Sequence, residues 1–267
     1  MSALPAAGAA ALFAGALPML AVMAAAGYFQ TVTGFGLGMI VMGAASVLQL
    51  APVATLAVLV SLVTLANSAV ALPGRMQRMD WPAVRAATLG LLPSVVAGAL
   101  LLDYLDQRAA DLLQLLLGAV ILYGGLGAAW RPEPLQRRSS QRSFFLSGVF
   151  GGLLSGLFGV SGPPLIFQFY RQPLRLAEIR GALILVFTVS STIRTLFSLS
   201  QGRLDAALWL QAALAVPVVA LATAAARRFP PPLSAGATRR LAFGVLVLIG
   251  GGLAAPALLA LLRGGAA

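Results

Sequence analysis

The chain has 267 residues, 60 per cent hydrophobic and only 9 per cent charged, a balance that excludes a soluble domain of this size and indicates a polytopic membrane protein. Its formal charge of +11 comes from arginine alone, and the arginines fall between apolar runs, which is a membrane-orientation pattern rather than a nucleic-acid surface. Without Cys or His, disulfides, thiolate chemistry, imidazole relays and the usual zinc sites are excluded, and no cofactor motif or phosphate loop of the form GxxxxGKS/T occurs.

Taken in order, apolar segments long enough to span run over Leu4–Gln30, Pro52–Leu72, Trp81–Leu102, Leu112–Trp130, Phe144–Tyr170, Ile179–Leu199, Ala206–Ala226 and Leu241–Leu262. The first lacks a basic leader and continues into the motif GYFQTVTGFGLG at Gly27–Gly38, so it is not read as a cleaved signal peptide. A richer relative, GVFGGLLSGLFGVSGPP, fills Gly148–Pro164 inside the fifth segment. Gly loosens a helix and Pro removes a donor, and in hydrocarbon every freed N–H or C=O needs another partner. Both motifs therefore predict broken helices that line a cavity, the arrangement expected at a carrier's binding site.

A shift of 125 residues lays Gly27 on Gly152, Gln30 on Ser155, Gly34 on Gly159, Arg78 on Arg203 and Asp80 on Asp205. The halves are read as residues 1–130 and 144–267, with a cytoplasmic linker over 131–143. If all eight segments cross, nine arginines face one side and eight the other, which is no bias. If segments one and five enter and return on the same side, the count becomes fourteen against three. The expected fold is therefore an all-α membrane protein of two inverted repeats, each with one re-entrant or broken helical hairpin and three transmembrane helices. Eight plain crossings are the competing reading.

The paired signatures, Gly27, Gln30, Gly34 and Gly36 in one half and Gly152, Gly156, Gly159, Gly162 and Pro163 in the other, resemble the TauE/SafE sulfite exporter family of bacterial anion permeases. The resemblance covers nearly the whole chain. It implies a multi-pass carrier in the bacterial inner membrane for sulfite, thiosulfate, an organosulfonate or a related carboxylate, not an enzyme. Members often carry a run of glycines after the second motif, where this chain reads Val160, Ser161, Gly162, Pro163, Pro164.

Arg194, inside the sixth segment, is the sharpest candidate for anion contact, because a charge there is costly and a guanidinium fork suits oxyanion geometry. Its competing roles are snorkelling and bonding to backbone carbonyls. Ser191 and Thr192 lie on much the same side as Arg194, and Asn67 aligns with Thr192 at the same offset. Such hydroxyls and amides either hydrogen-bond an oxyanion or pack helices together. Gln30 and Ser155 fall near the two breaks, and the amides of Gly34, Gly36, Gly159 and Gly162 are expected to face the solute through half-helix N-termini. Close helix approach is the alternative use of those glycines. The partners read from sequence are a small anionic substrate and the lipid bilayer, with a homo-oligomer left open. An anion channel of the same fold is the alternative function.

Overall fold

A computed structural model describes residues 6–74, 76, 79–106, 110–129, 135–230 and 235–264. Of the residues named above, Leu4, Arg78 and Trp130 lie outside the described residues, as do 131–134 of the linker, so the pair Arg78–Arg203 is not described. The described residues form helices and no strands: α1 (Ala6–Thr33), α2 (Leu37–Val47), α3 (Val53–Ala71), α4 (Trp81–Asp106), α5 (Ala110–Ala129), α6 (Gln141–Phe158), α7 (Gly162–Tyr170), α8 (Leu176–Ser200), α9 (Ala206–Arg228) and α10 (Ala235–Gly264). Among them α3, α4, α8 and α9 are each long and apolar enough to cross a bilayer. By contrast α2, at 11 residues, and α7, at 9, reach only about 16 Å and 13 Å, roughly half the hydrocarbon core.

Both expected helix breaks are present. The first comes after Thr33, where Gly34 and Gly36 take φ of 89° and 103°; the second comes at Gly159, with φ of 67°. Only glycine adopts such values without strain. The ends of α1 and α6, the starts of α2 and α7 and the starts of α4 and α9 are each 125 residues apart. Asp80 and Asp205 cap their helices alike: Asp80 accepts from Ala83 N at 3.1 Å and Asp205 from Leu208 N at 2.7 Å. The short helix α2 after the first break lies beyond the first apolar segment as bounded from sequence, Leu4–Gln30.

Two kinds of contact hold the bundle. Along α4 and α6 the backbones touch, with Gly148 facing the Ala87 carbonyl, Gly152 facing Leu91 and Gly156 facing Val95 and Gly98. The partner numbers rise together, so the two helices run parallel. These three glycines therefore serve close helix approach, in the small-residue manner usual inside membranes. Elsewhere polar groups tie chain ends together. Leu135 N donates to the Arg171 carbonyl at 2.8 Å, and the Gln172 side chain accepts from Ser139 N at 2.9 Å and donates to Ser139 Oγ at 3.0 Å. The Tyr170 hydroxyl donates to the Thr33 carbonyl at 2.8 Å while its ring stands edge-on to Phe35. Arg138 pairs with Asp80, and Arg203 pairs with Asp103.

A Cβ at Gly156 would collide with the backbone of Val95, Gly98 and Ala99, none of which is a flexible side-chain end, whereas one at Gly251 would meet nothing within 4 Å. Gly156→Val is expected to cost about 3 kcal/mol and to depress the unfolding temperature in detergent, with Gly251→Ala neutral or stabilising. Equal melting curves for the two variants would refute the close α4–α6 contact.

Candidate functional site

The two breaks meet. A Cβ on Gly38, at the start of α2, would lie 3.1 Å from the Val160 side chain and 3.2 Å from the Gly159 carbonyl. Between them is a small hollow of about 20 Å³, lined from the first half by Gln30, Gly36, Gly38, Met39 and Thr64. From the second half come Gly159, Val160, Ser161, Gly162, Phe187 and Ser191. None of these side chains carries a charge. The N-terminal ends of α2 and α7 both open onto it, so their first N–H groups bring partial positive charge to one place.

Not all of the amides expected to face the hollow do so. Gly34 N donates to the Gln30 carbonyl, Phe35 N to Thr33 Oγ1 and Gly159 N to the Ser155 carbonyl. Leu37 N, the first donor of α2, is taken by Gln30 Oε1 at 3.1 Å, so a side chain in α1 caps the helix across the break. Pro163 and Pro164 further remove two donors from the first turn of α7. The donors left at the hollow are those of Gly36, Gly38, Val160, Ser161 and Gly162, together with the hydroxyls of Thr64 and Ser191.

Gln30 has a second task. Its Nε2 donates to Asn67 Oδ1 at 2.9 Å, and Asn67 Nδ2 lies 2.7 Å from Thr223 Oγ1, 3.0 Å from Thr31 Oγ1 and 3.2 Å from the Gly27 carbonyl. The hydroxyls of Thr31 and Thr223 donate in turn to carbonyls of their own helices. A fully buried amide on α3 thus joins α1 to α9. Asn67 braces the first break and does not line the hollow.

Arg194 braces the second break. It is 2 per cent exposed, and its Nε donates to the Ala57 carbonyl of α3 at 3.2 Å while an Nη donates to the Ser155 carbonyl of α6 at 3.1 Å. Ser155 lies one helical turn before Gly159 and is buried, so the guanidinium sits behind the hollow and does not line it. Of the remaining sequence candidates, Gly36, Gly159, Gly162 and Ser191 line the hollow with Gln30, while Gly34 packs against the Arg180 side chain. Thr192 faces outward and bonds back to the Thr188 carbonyl at 2.9 Å. Thr64, Ser161, Met39 and Phe187 also line the hollow, Thr64 standing one turn before Asn67 on α3.

With four helices among the described residues long and apolar enough to cross a bilayer, the protein is a multi-pass membrane transporter. It belongs to the sulfite exporter TauE/SafE family, whose model matches residues 19–253. The chain is 69 per cent identical over 245 residues to a probable sulfite/organosulfonate exporter, TauE, of Cupriavidus necator, covering 91 per cent of this chain and 96 per cent of that one. It is 28 per cent identical over 183 residues to a probable inner membrane transporter protein, TsaS, of Comamonas testosteroni, covering 66 per cent of this chain and 72 per cent of the other. No solved structure matches.

Removing the Arg194 guanidinium takes one charged donor from each of two buried carbonyls, which keep Ser61 Oγ and Gly159 N besides. Arg194→Ala is expected to lower the unfolding temperature with no anion present, at a cost of about 2–3 kcal/mol, as read by thermal denaturation in detergent. A variant as stable as the wild type would show that the guanidinium does not support the second break.

Proposed function

We propose that the chain is a secondary carrier that exports a small oxyanion, sulfite or an organosulfonate, and that the anion is held where the two breaks meet. The hollow carries this reading. Two helix N-termini and the hydroxyls of Thr64 and Ser191 converge on it, and no acidic side chain lines it. An anion loses its hydration shell on entering and regains hydrogen bonds from neutral donors, while Arg194, one turn behind, biases the local potential. The family and the Cupriavidus relative's name supply the substrate class. Neutral donors also suit a short carboxylate, which is the competing cargo.

The reading takes each α1–α2 and α6–α7 pair as a hairpin that enters and returns on one side, from opposite faces of the membrane. Support for the second hairpin comes from the bonds between residues 135–139 and 171–172, which bring its start and its finish together. For the first, the tip at Gly34 rests on Arg180 at the start of α8, whereas the second tip at Gly159 rests on Ala57 at the start of α3. The matched 125-residue boundaries fit two halves of common design, inverted because each adds three crossings. Arg138, Arg142, Arg171 and Arg180 then share an end with Arg85, and Arg203 lies at the other, as expected if the first end is cytoplasmic.

A volume of 20 Å³ admits about one water and no sulfite, so this conformation is a constricted one and passage needs one half to move against the other. The inside-negative potential favours anion exit by about 2.3 kcal/mol per charge per 100 mV, so export needs no coupled ion.

Purified protein in liposomes should show saturable sulfite flux and counterflow. Ser191→Ala and Thr64→Ala should each raise KM about fivefold, the worth of one hydrogen bond of about 1 kcal/mol. Flux that rises linearly with concentration and shows no counterflow would make the protein a channel. Preference for acetate over sulfite would make it a carboxylate carrier.

A further inference from the structure

A second cavity shares no lining residue with the hollow and is rimmed by exposed side chains. It is a groove of about 440 Å³ between the first turns of α4 and α6, lined by Arg85, Ala86 and Leu89 on one side and Gln141, Arg142 and Phe145 on the other. We propose that it binds one anionic phospholipid, its headgroup held by Arg85 and Arg142 and an acyl chain lying over Leu89 and Phe145.

Geometry and charge converge on that ligand. Because α4 and α6 run parallel, their first turns stand side by side, and on each helix an arginine precedes an exposed apolar residue by about one turn: Arg85 before Leu89, and Arg142 before Phe145. The groove therefore has a cationic rim and an apolar floor that deepen in step. Neither arginine enters an ion pair among the described residues, and no acidic side chain lines the groove. Asp80, which caps α4, is already neutralised by two bonds from Arg138. Ser140 makes no side-chain cap on α6, so the amides of Gln141 and Arg142 are open to an anion as well, while that of Ser143 bonds to the Ser140 carbonyl. Trp81, 38 per cent exposed at the start of α4, marks the level of the membrane interface. Free phosphate would satisfy the arginines and leave Leu89 and Phe145 uncovered. A phospholipid fills both parts, as basic pockets between transmembrane helices do for acidic headgroups.

Native mass spectrometry of the purified protein, titrated with phosphatidylglycerol or with phosphatidylcholine of the same acyl chains, tests this. Phosphatidylglycerol should bind at concentrations where phosphatidylcholine does not. Arg85→Gln with Arg142→Gln should weaken it roughly thirtyfold, about fivefold for each single variant, which also serves should the double variant fold poorly. Arg171→Gln, on a cation outside the groove, should change it less than about twofold. Equal retention by the double variant, or equal affinity for phosphatidylcholine, would overturn the proposal. Displacement of the lipid by millimolar phosphate would overturn it too, by assigning the arginines to a soluble anion. Transport activity enters none of these readings, so the outcome is independent of the proposed cargo.

Discussion

The structure depends on one constraint: a backbone group freed inside a hydrocarbon layer must find a partner within the protein. Breaking α1 and α6 frees such groups, and both breaks are then repaired from within. At the first, Thr33 folds its hydroxyl between the Phe29 and Phe35 carbonyls, and Gln30 caps α2 with its side-chain oxygen. At the second, Gly159 N returns to Ser155, whose carbonyl also receives Arg194. The donors that these repairs leave over line the hollow, where we propose that the solute is held.

The two halves meet the same requirement with different chemistry. An amide pair, Gln30 with Asn67, reaches from α1 to α3 and on to Thr223 of α9. A guanidinium does the corresponding work between α8, α3 and α6. Position for position the braces do not correspond: Asn67 aligns with Thr192, which faces outward, and Arg194 aligns with Ala69. Arg194 braces the second break by hydrogen bonds to carbonyls, whereas at the first break the side chain of Arg180 packs against Gly34 and the bracing is done by neutral amides.

Much of this was readable in the residues. Gly34 and Gly159 marked the breaks because glycine and proline are costly in spanning helices unless a break is wanted, and Asp80 and Asp205 announced caps by standing just before apolar runs. Other features were not readable. Nothing in composition separates Gly159, which turns the chain, from Gly152, which lets α4 come close, because the difference lies in φ and in the neighbour. The partners of Arg194 are carbonyls, which every residue owns, so no sequence pattern could name Ala57 or Ser155. Ser191 and Thr192, neighbours in sequence, differ by about 100° around α8, enough to send one inward and the other out.

Tyr170 has a mechanical consequence. It closes the second broken pair, yet its hydroxyl is bonded to Thr33 at the tip of the first and its ring leans on Phe35 there. The tip of one half is thereby stapled to the exit of the other. Any motion that widens the hollow toward this end must either undo the staple or swing both broken pairs as a single lever about the long helices α3 and α8.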